Sequence, residues 1–209
     1  MKKSGNLKDM IYSNVFSDII KGEYGANDII SEKKLVEKYQ VSKSPVREAL
    51  GKLCSEGVLK SMPRYGYVII QLTRRDIENI LNFRLILEGG TLREQIHQIS
   101  SEQIKELKEI DLLCENEESQ NDFWLHWEYN RKFHLTLMSL SGNEFSYKML
   151  KQAMDTLTRA YAQFYWDKWE NIVFPTDTKY HVKIIQCLEE KDTEGAIHFL
   201  RQDIRDFGR

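Results

Sequence analysis

Four polar side chains stand where the spacing calls for apolar ones, and their types can do chemistry together. In segment 122–141 an apolar stripe of Phe123, Trp127, Leu137 and Met138 also contains Asn130 and His134, one helical turn apart. His181 lies in line with Ile184, Ile185 and Leu188, and Asp203 shares a face with Ala196, Phe199, Leu200 and Phe207. Burying such groups costs free energy unless they are paired, a carboxylate most of all. If the three stripes meet in one core, two imidazoles, one carboxylate and one amide oxygen converge. That donor set can hold a divalent transition metal such as zinc or nickel and leave positions open for a ligand. The alternative is a set of unrelated, hydrogen-bonded core residues. His126 and His198 are expected to lie outside any such cluster.

The elements that carry these residues read as helices. After Thr73 the chain has long helical periodicity and no convincing strand. Thr73 and Asp76 resemble a cap and its N3 acid, opening a helix through Ile77, Ile80, Leu81 and Leu85. Further helices are expected at about 102–118, 122–141, 144–169, 177–190 and 193–207, with stops at Gly142-Asn143 and Pro175.

The first third has a different texture. A helical stripe from Leu7 through Ile11, Val15, Ile19 and Ile20 ends near Lys21-Gly22, and EYGANDII follows as a loop. Ser31 suits the N-cap of a short helix, EKKLVEKY. Ser44 before Pro45 reads as an N-cap and first helical position for a third helix, which Gly57 stops. VLKSM and YVII read as two strands around PRYG, a hairpin tipped by Arg64, Tyr65 and Gly66. Three helices and a hairpin make a winged helix-turn-helix. Its second paired helix would carry Ser42, Lys43, Ser44 and Arg47 into a major groove, with Val46, Ala49, Leu50 and Leu53 facing the core. Arginine suits a bidentate contact to guanine, whereas lysine and serine suit phosphate oxygens. Lys33 is placed to reach the flanking backbone.

Charge divides the same way. Residues 1–75 carry 14 Lys+Arg against 8 Asp+Glu, and residues 76–209 carry 16 against 24, so a basic head is joined to an acidic remainder. Only the head invites a polyanion. The expected domains are therefore 1–72, a DNA-binding winged helix-turn-helix, and 73–209, an all-helical bundle for effector binding and dimerisation. The fold class is mainly α. No run is long and apolar enough for a membrane span or signal core, and three scattered cysteines suggest a reducing cytoplasm.

At this resolution two motif sets carry a family resemblance. Segment 7–70, with SEKKLVEKYQVSKSPVREALGKLCSEGVL and PRYGYVI, resembles the winged-helix domain of the GntR family of bacterial transcription regulators. Lys43 stands where that family commonly has Arg, and Ser44 where it has Thr. The resemblance implies DNA contacts by Lys33, Ser42, Lys43, Ser44, Arg47, Arg64, Tyr65 and Gly66, and a homodimer on a pseudo-palindromic double-stranded operator. NRKFHLTLMSLSGN and KYHVKIIQCLEEKDTEGAIHFLRQDI resemble the all-helical FCD domain of the FadR branch. In that branch D–x–x–x–H and two later histidines bind a metal. His134 and His181 match directly, whereas Asn130 replaces the aspartate and Asp203 the last histidine. The resemblance implies a small organic acid as effector, met by Arg84, Asn130, His134 and His181. Arg84, in FRLILE, is its candidate carboxylate partner, the other reading being a salt bridge with Glu88.

These readings converge on a cytoplasmic, ligand-responsive repressor and not an enzyme. The rival readings are a metal-independent sensor, a DNA-binding architectural protein, and a helical metalloenzyme in which His134 and His181 activate water. No HExxH, nucleophile elbow or phosphate loop supports the last.

Overall fold

Helical spacing in the sequence becomes helices wherever an apolar stripe finds a partner. The computed structural model describes residues 4–25, 28–116, 123–165 and 178–206, and among these there are nine α-helices and three short strands. They fall into two compact units, one drawn from Met1–Thr73 and Thr158–Trp166, the other from Arg74–Leu157 and Asp167–Arg209.

The first unit contains α1 (Ser4–Ile20), β1 (Ile29–Ile30), α2 (Glu32–Tyr39), α3 (Lys43–Ser55), β2 (Leu59–Met62) and β3 (Gly66–Ile69). Its core joins Ile11, Val15 and Ile19 of α1 to Leu35 of α2 and Val46, Ala49, Leu50 and Leu53 of α3. Gln40 takes a left-handed conformation (φ 53°) to turn α2 into α3. α3 ends in a Schellman motif: Gly57 (φ 68°) N–H donates to Cys54 O, and Val58 N–H to Leu53 O at 2.9 Å.

Two expectations change here. α3 starts at Lys43 with Ser42, not Ser44, in the N-cap place, because Ser42 is the last extended residue (φ −72°, ψ 166°). Pro45 then falls in the third helical position, still inside the first turn, where no N–H is needed. The wing is also three-stranded. Ile29–Ile30, read as loop, pairs antiparallel with β3 (Ile29 opposite Val68, Ile30 opposite Tyr67), giving the order β1-β3-β2. Two residues are too short for alternation to show in sequence; burial of Ile30 and the open edge of β3 draw them in.

The second unit contains α4 (Arg74–Gln95), a 3-10 turn (Ile96–Gln98), α5 (Ser101–Glu115), α6 (Phe123–Ser139), α7 (Glu144–Tyr165) as far as Leu157, α8 (Thr178–Glu190) and α9 (Thr193–Arg205). Its core is made by Leu92 of α4, Leu107 and Ile110 of α5, Phe133 and Leu137 of α6, Ile184 and Leu188 of α8, and Ala196, Leu200 and Ile204 of α9. Caps fix the helix starts. Ser100 and Gln103 form a capping box on α5, Asn143 Oδ1 accepts from Ser146 N–H at α7, and Asp192 Oδ1 accepts from Gly195 N–H at α9. α6 stops at Ser139 and α9 at Arg205, each short of its expected end. The break at Pro175 and the expected helical residues 117–118, 122, 166–169, 177 and 207 lie outside the described residues. No helix among the described residues is long and apolar enough to cross a membrane.

Candidate functional site

α6, α8 and α9 turn their apolar stripes toward one core, and the polar interruptions go with them. His134 and His181 are fully buried and Asp203 nearly so. His134 Nε2 lies 2.8 Å from Asp203 Oδ2, and His181 Nε2 lies 3.4 Å from Asp203 Oδ1. One donor atom from each of the three residues falls within 4.8 Å of the others. Yet neither Nε2 nor Asp203 Oδ1 has hydrogen-bond geometry to any described group. Buried polar atoms are nearly always paired, so three adjacent exceptions need a cause.

Each imidazole is held from behind. His134 Nδ1 is 2.6 Å from Glu88 Oε2, and His181 Nδ1 is 3.1 Å from Asp111 Oδ1. Arg84 Nε donates to the other Glu88 oxygen at 2.8 Å, while its Nη2 is buried with no partner among the described residues. The ring of Phe133 stacks on His181 with centroids 3.8 Å apart and planes 11° from parallel. A continuous buried series thus runs Arg84–Glu88–His134–Asp203–His181–Asp111.

Electrostatics favours the charged forms of Glu88, His134 and Asp203 within this series. Burial pushes Glu88 and Asp203 up, but Arg84 with His134, and His134 with His181, hold the two carboxyls below their usual values. Burial likewise pushes His134 down, and Glu88 and Asp203 outweigh it, so its imidazole is raised.

Of the residues expected here, the structure brings together His134, His181 and Asp203, with Arg84 reaching them through Glu88. Asn130 is buried on α6 one turn before His134, on the same face. His126 is also buried, and burial lowers its pKa; His198 is exposed on α9. Two members were missed in the sequence. Glu88 stands one turn after Arg84 and was considered only as a salt-bridge partner. Asp111 sits among Ile104, Leu107, Ile110 and Cys114, the same signal of a polar residue in an apolar stripe that marked the other helices.

A second surface lies on the first unit. Ser42, Lys43 and Ser44 are exposed at the start of α3, and Arg47 follows with 63% of its side chain exposed. Arg47 Nε donates to Glu32 Oε2 at 2.8 Å, and Glu32 Oε1 accepts from Tyr67 Oη at 3.0 Å. Glu32, unremarked in the sequence, therefore ties α2, α3 and β3 together behind the arginine. Ser44 Oγ donates to Glu48, and Lys33 is exposed near Glu37. At the wing tip Arg64 (φ 71°) and Tyr65 are exposed. Gly66 (φ 128°) has a structural duty, because a Cβ there would meet Ile30 O at 2.6 Å.

A winged helix-turn-helix with exposed basic side chains, joined in one chain to a helical unit that buries a His–His–Asp cluster, defines a bacterial regulator class. Residues 7–69 match the bacterial regulatory proteins of the gntR family and residues 79–206 match the FCD domain; the chain belongs to this gntR–FCD family. Members of the family are transcription regulators, not enzymes. The chain is 28% identical over 150 residues to the HTH-type transcriptional regulator YdhC of Bacillus subtilis, covering 70% of this chain and 66% of that protein. A gluconate operon transcriptional repressor of Bacillus licheniformis is 43% identical over 70 residues, 34% of this chain and 28% of the repressor. The matches thus span less than two-thirds of these relatives' lengths. Among solved structures, Escherichia coli McbR/YncC shares the fold, with a TM-score of 0.79 at 19% identity over 99% of this chain and 95% of that one.

Proposed function

We propose that the chain is a cytoplasmic, homodimeric regulator that reads a pseudo-palindromic operator with residues 1–72 and senses a small organic acid with residues 73–209. The observation that carries the sensing half is the convergence of His134, His181 and Asp203 in a buried core, one donor atom of each within 4.8 Å of the others. Bonds of ~2.0–2.2 Å to a divalent ion need donors about 3 Å apart, close to the spacings seen here. Charge also fits: with both imidazoles neutral, as metal ligands must be, Glu88, Asp111 and Asp203 against Arg84 leave two negative charges for a divalent cation to balance. His134, His181 and Asp203 would hold zinc or nickel, with Asn130 as a neutral oxygen donor. The ion supplies a Lewis-acidic position that an effector carboxylate can occupy. The unpartnered Arg84 Nη2 supports a second contact to that acid.

On the reading face, Lys33, Ser42, Lys43 and Ser44 would take phosphates, Arg47 a guanine edge, and Arg64, Tyr65 and Gly66 the neighbouring groove. Ligand binding would shift the bundle between two packings and so change operator affinity, with repression relieved by the effector. Thermal unfolding tests the sensor directly. Zinc or nickel at ~100 times its Kd should stabilise the protein by about 2.7 kcal/mol, and organic acids should add to this only with metal bound. Operator affinity should then change by roughly 5–150-fold. If neither metals nor acids move the transition, the sensing reading is wrong.

A further inference from the structure

We propose that Glu88 of α4 and Asp111 of α5 are positioning residues of the metal centre: each holds one imidazole by its Nδ1 so that both Nε2 atoms face Asp203. This rests on the metal reading above and extends it to residues that touch no ion. A carboxylate oxygen only accepts, so His134 Nδ1 at 2.6 Å from Glu88 and His181 Nδ1 at 3.1 Å from Asp111 carry the protons. A metal would need the opposite nitrogen of each ring, Nε2, as its lone-pair donor, and both Nε2 atoms face Asp203, at 2.8 Å for His134 and 3.4 Å for His181. Each ring thus has Nδ1 held by its own acid and Nε2 turned to the one carboxylate that the two rings share. Carboxylate–histidine–metal triads have this form, and the outer acid sets ring orientation and raises ligand basicity.

The two supports differ in strength. Glu88 makes the shorter contact, is buried, and is itself clamped by Arg84 Nε at 2.8 Å. Asp111 makes the longer contact, and its ring is steadied independently by the stacked Phe133. Loss of Glu88 should therefore weaken metal binding more than loss of Asp111.

The test uses the full chain with Co2+ as a spectroscopic probe and Zn2+ in chelator competition. Glu88→Gln and Asp111→Asn keep size and remove charge; each should weaken Zn2+ about 10–100-fold and shift the Co2+ absorption bands. His134→Ala and His181→Ala should abolish binding. Nitrogen-15 shifts of the metal-free protein should report Nδ1-protonated rings in the parent, with that signature altered at His181 in Asp111→Asn. Should Glu88→Gln fail to fold, Asp111→Asn decides by the same readouts. Parent-like affinity and Co2+ bands in the folded variants overturn the inference and leave the metal reading standing. A parent chain that binds neither Co2+ nor Zn2+ overturns both.

Discussion

Arg47 and Glu32 illustrate how single side chains are prepared before any partner arrives. Glu32 takes the Arg47 Nε, which restrains a long side chain that would otherwise lose rotamer entropy on binding, and Tyr67 restrains Glu32 in turn. Each bidentate arginine–guanine contact discriminates by about 1–3 kcal/mol. Arg47→Ala should therefore cut the ratio of operator to random-DNA affinity by at least ~10-fold, read by fluorescence anisotropy, with the circular dichroism spectrum unchanged. Arg47→Lys keeps the charge but loses the fork, and should recover non-specific binding without specificity. An unaltered ratio in both variants would mean that another residue reads the bases. The buried histidines are restrained in the same sense, with Nδ1 of each ring held by Glu88 or Asp111.

Among the elements, the wing depends on a glycine in the left-handed region. At Gly66 a side chain would meet both the Ile30 carbonyl at 2.6 Å and Ile29 Cγ2 at 2.9 Å, so β1 can pair with β3 only if no Cβ intervenes. Gly66→Ala should cost roughly 1–3 kcal/mol by chemical denaturation, and amide exchange should rise first at Ile29–Ile30. An unchanged stability would show that the strand pair accommodates the methyl. The α3 element is held differently. Val46, Ala49, Leu50 and Leu53 are fully buried, so the serine-rich first turn projects outward from a seated helix. This is why moving the N-cap from Ser44 to Ser42 leaves the exposed face of the first turn in place: the buried stripe, not the cap, fixes rotation about the axis.

For the whole molecule the informative quantity is how charge is divided. The basic head and acidic remainder nearly cancel, to a net charge of −2. DNA affinity should therefore come from a small set of phosphate contacts, and their number sets how fast it falls with salt. Taking Lys33 and Lys43 from each of two protomers as the charged phosphate contacts, log K should fall against log salt with a slope of about −4. Lys33→Ala should make it shallower by about two in the dimer, without altering sequence preference. A slope unmoved by that change would remove Lys33 from the interface. The expected thermal response to metal belongs to this scale too, since an ion held by α6, α8 and α9 would stabilise the folded helical unit.

Much was legible before any coordinates. Helical period, glycine stops and the polar breaks at Asn130, His134, His181 and Asp203 are local properties, written within a few turns of chain. The basic reading turn Ser42–Arg47 is equally local, because its chemistry and its buried stripe share ten residues. Other features leave no periodic trace. Glu88 meets His134 across 46 positions and Asp111 meets His181 across 70, and nothing in either segment marks the partner. β1 is too short to alternate, and Glu32 looks like an ordinary first-turn acid until Arg47 and Tyr67 close on it. Sequence alone determined which side chains could act and on which helices they ride. Only tertiary packing decided which nitrogen of each histidine is held and which is left facing Asp203, because that depends on helices meeting at distances the chain does not encode locally.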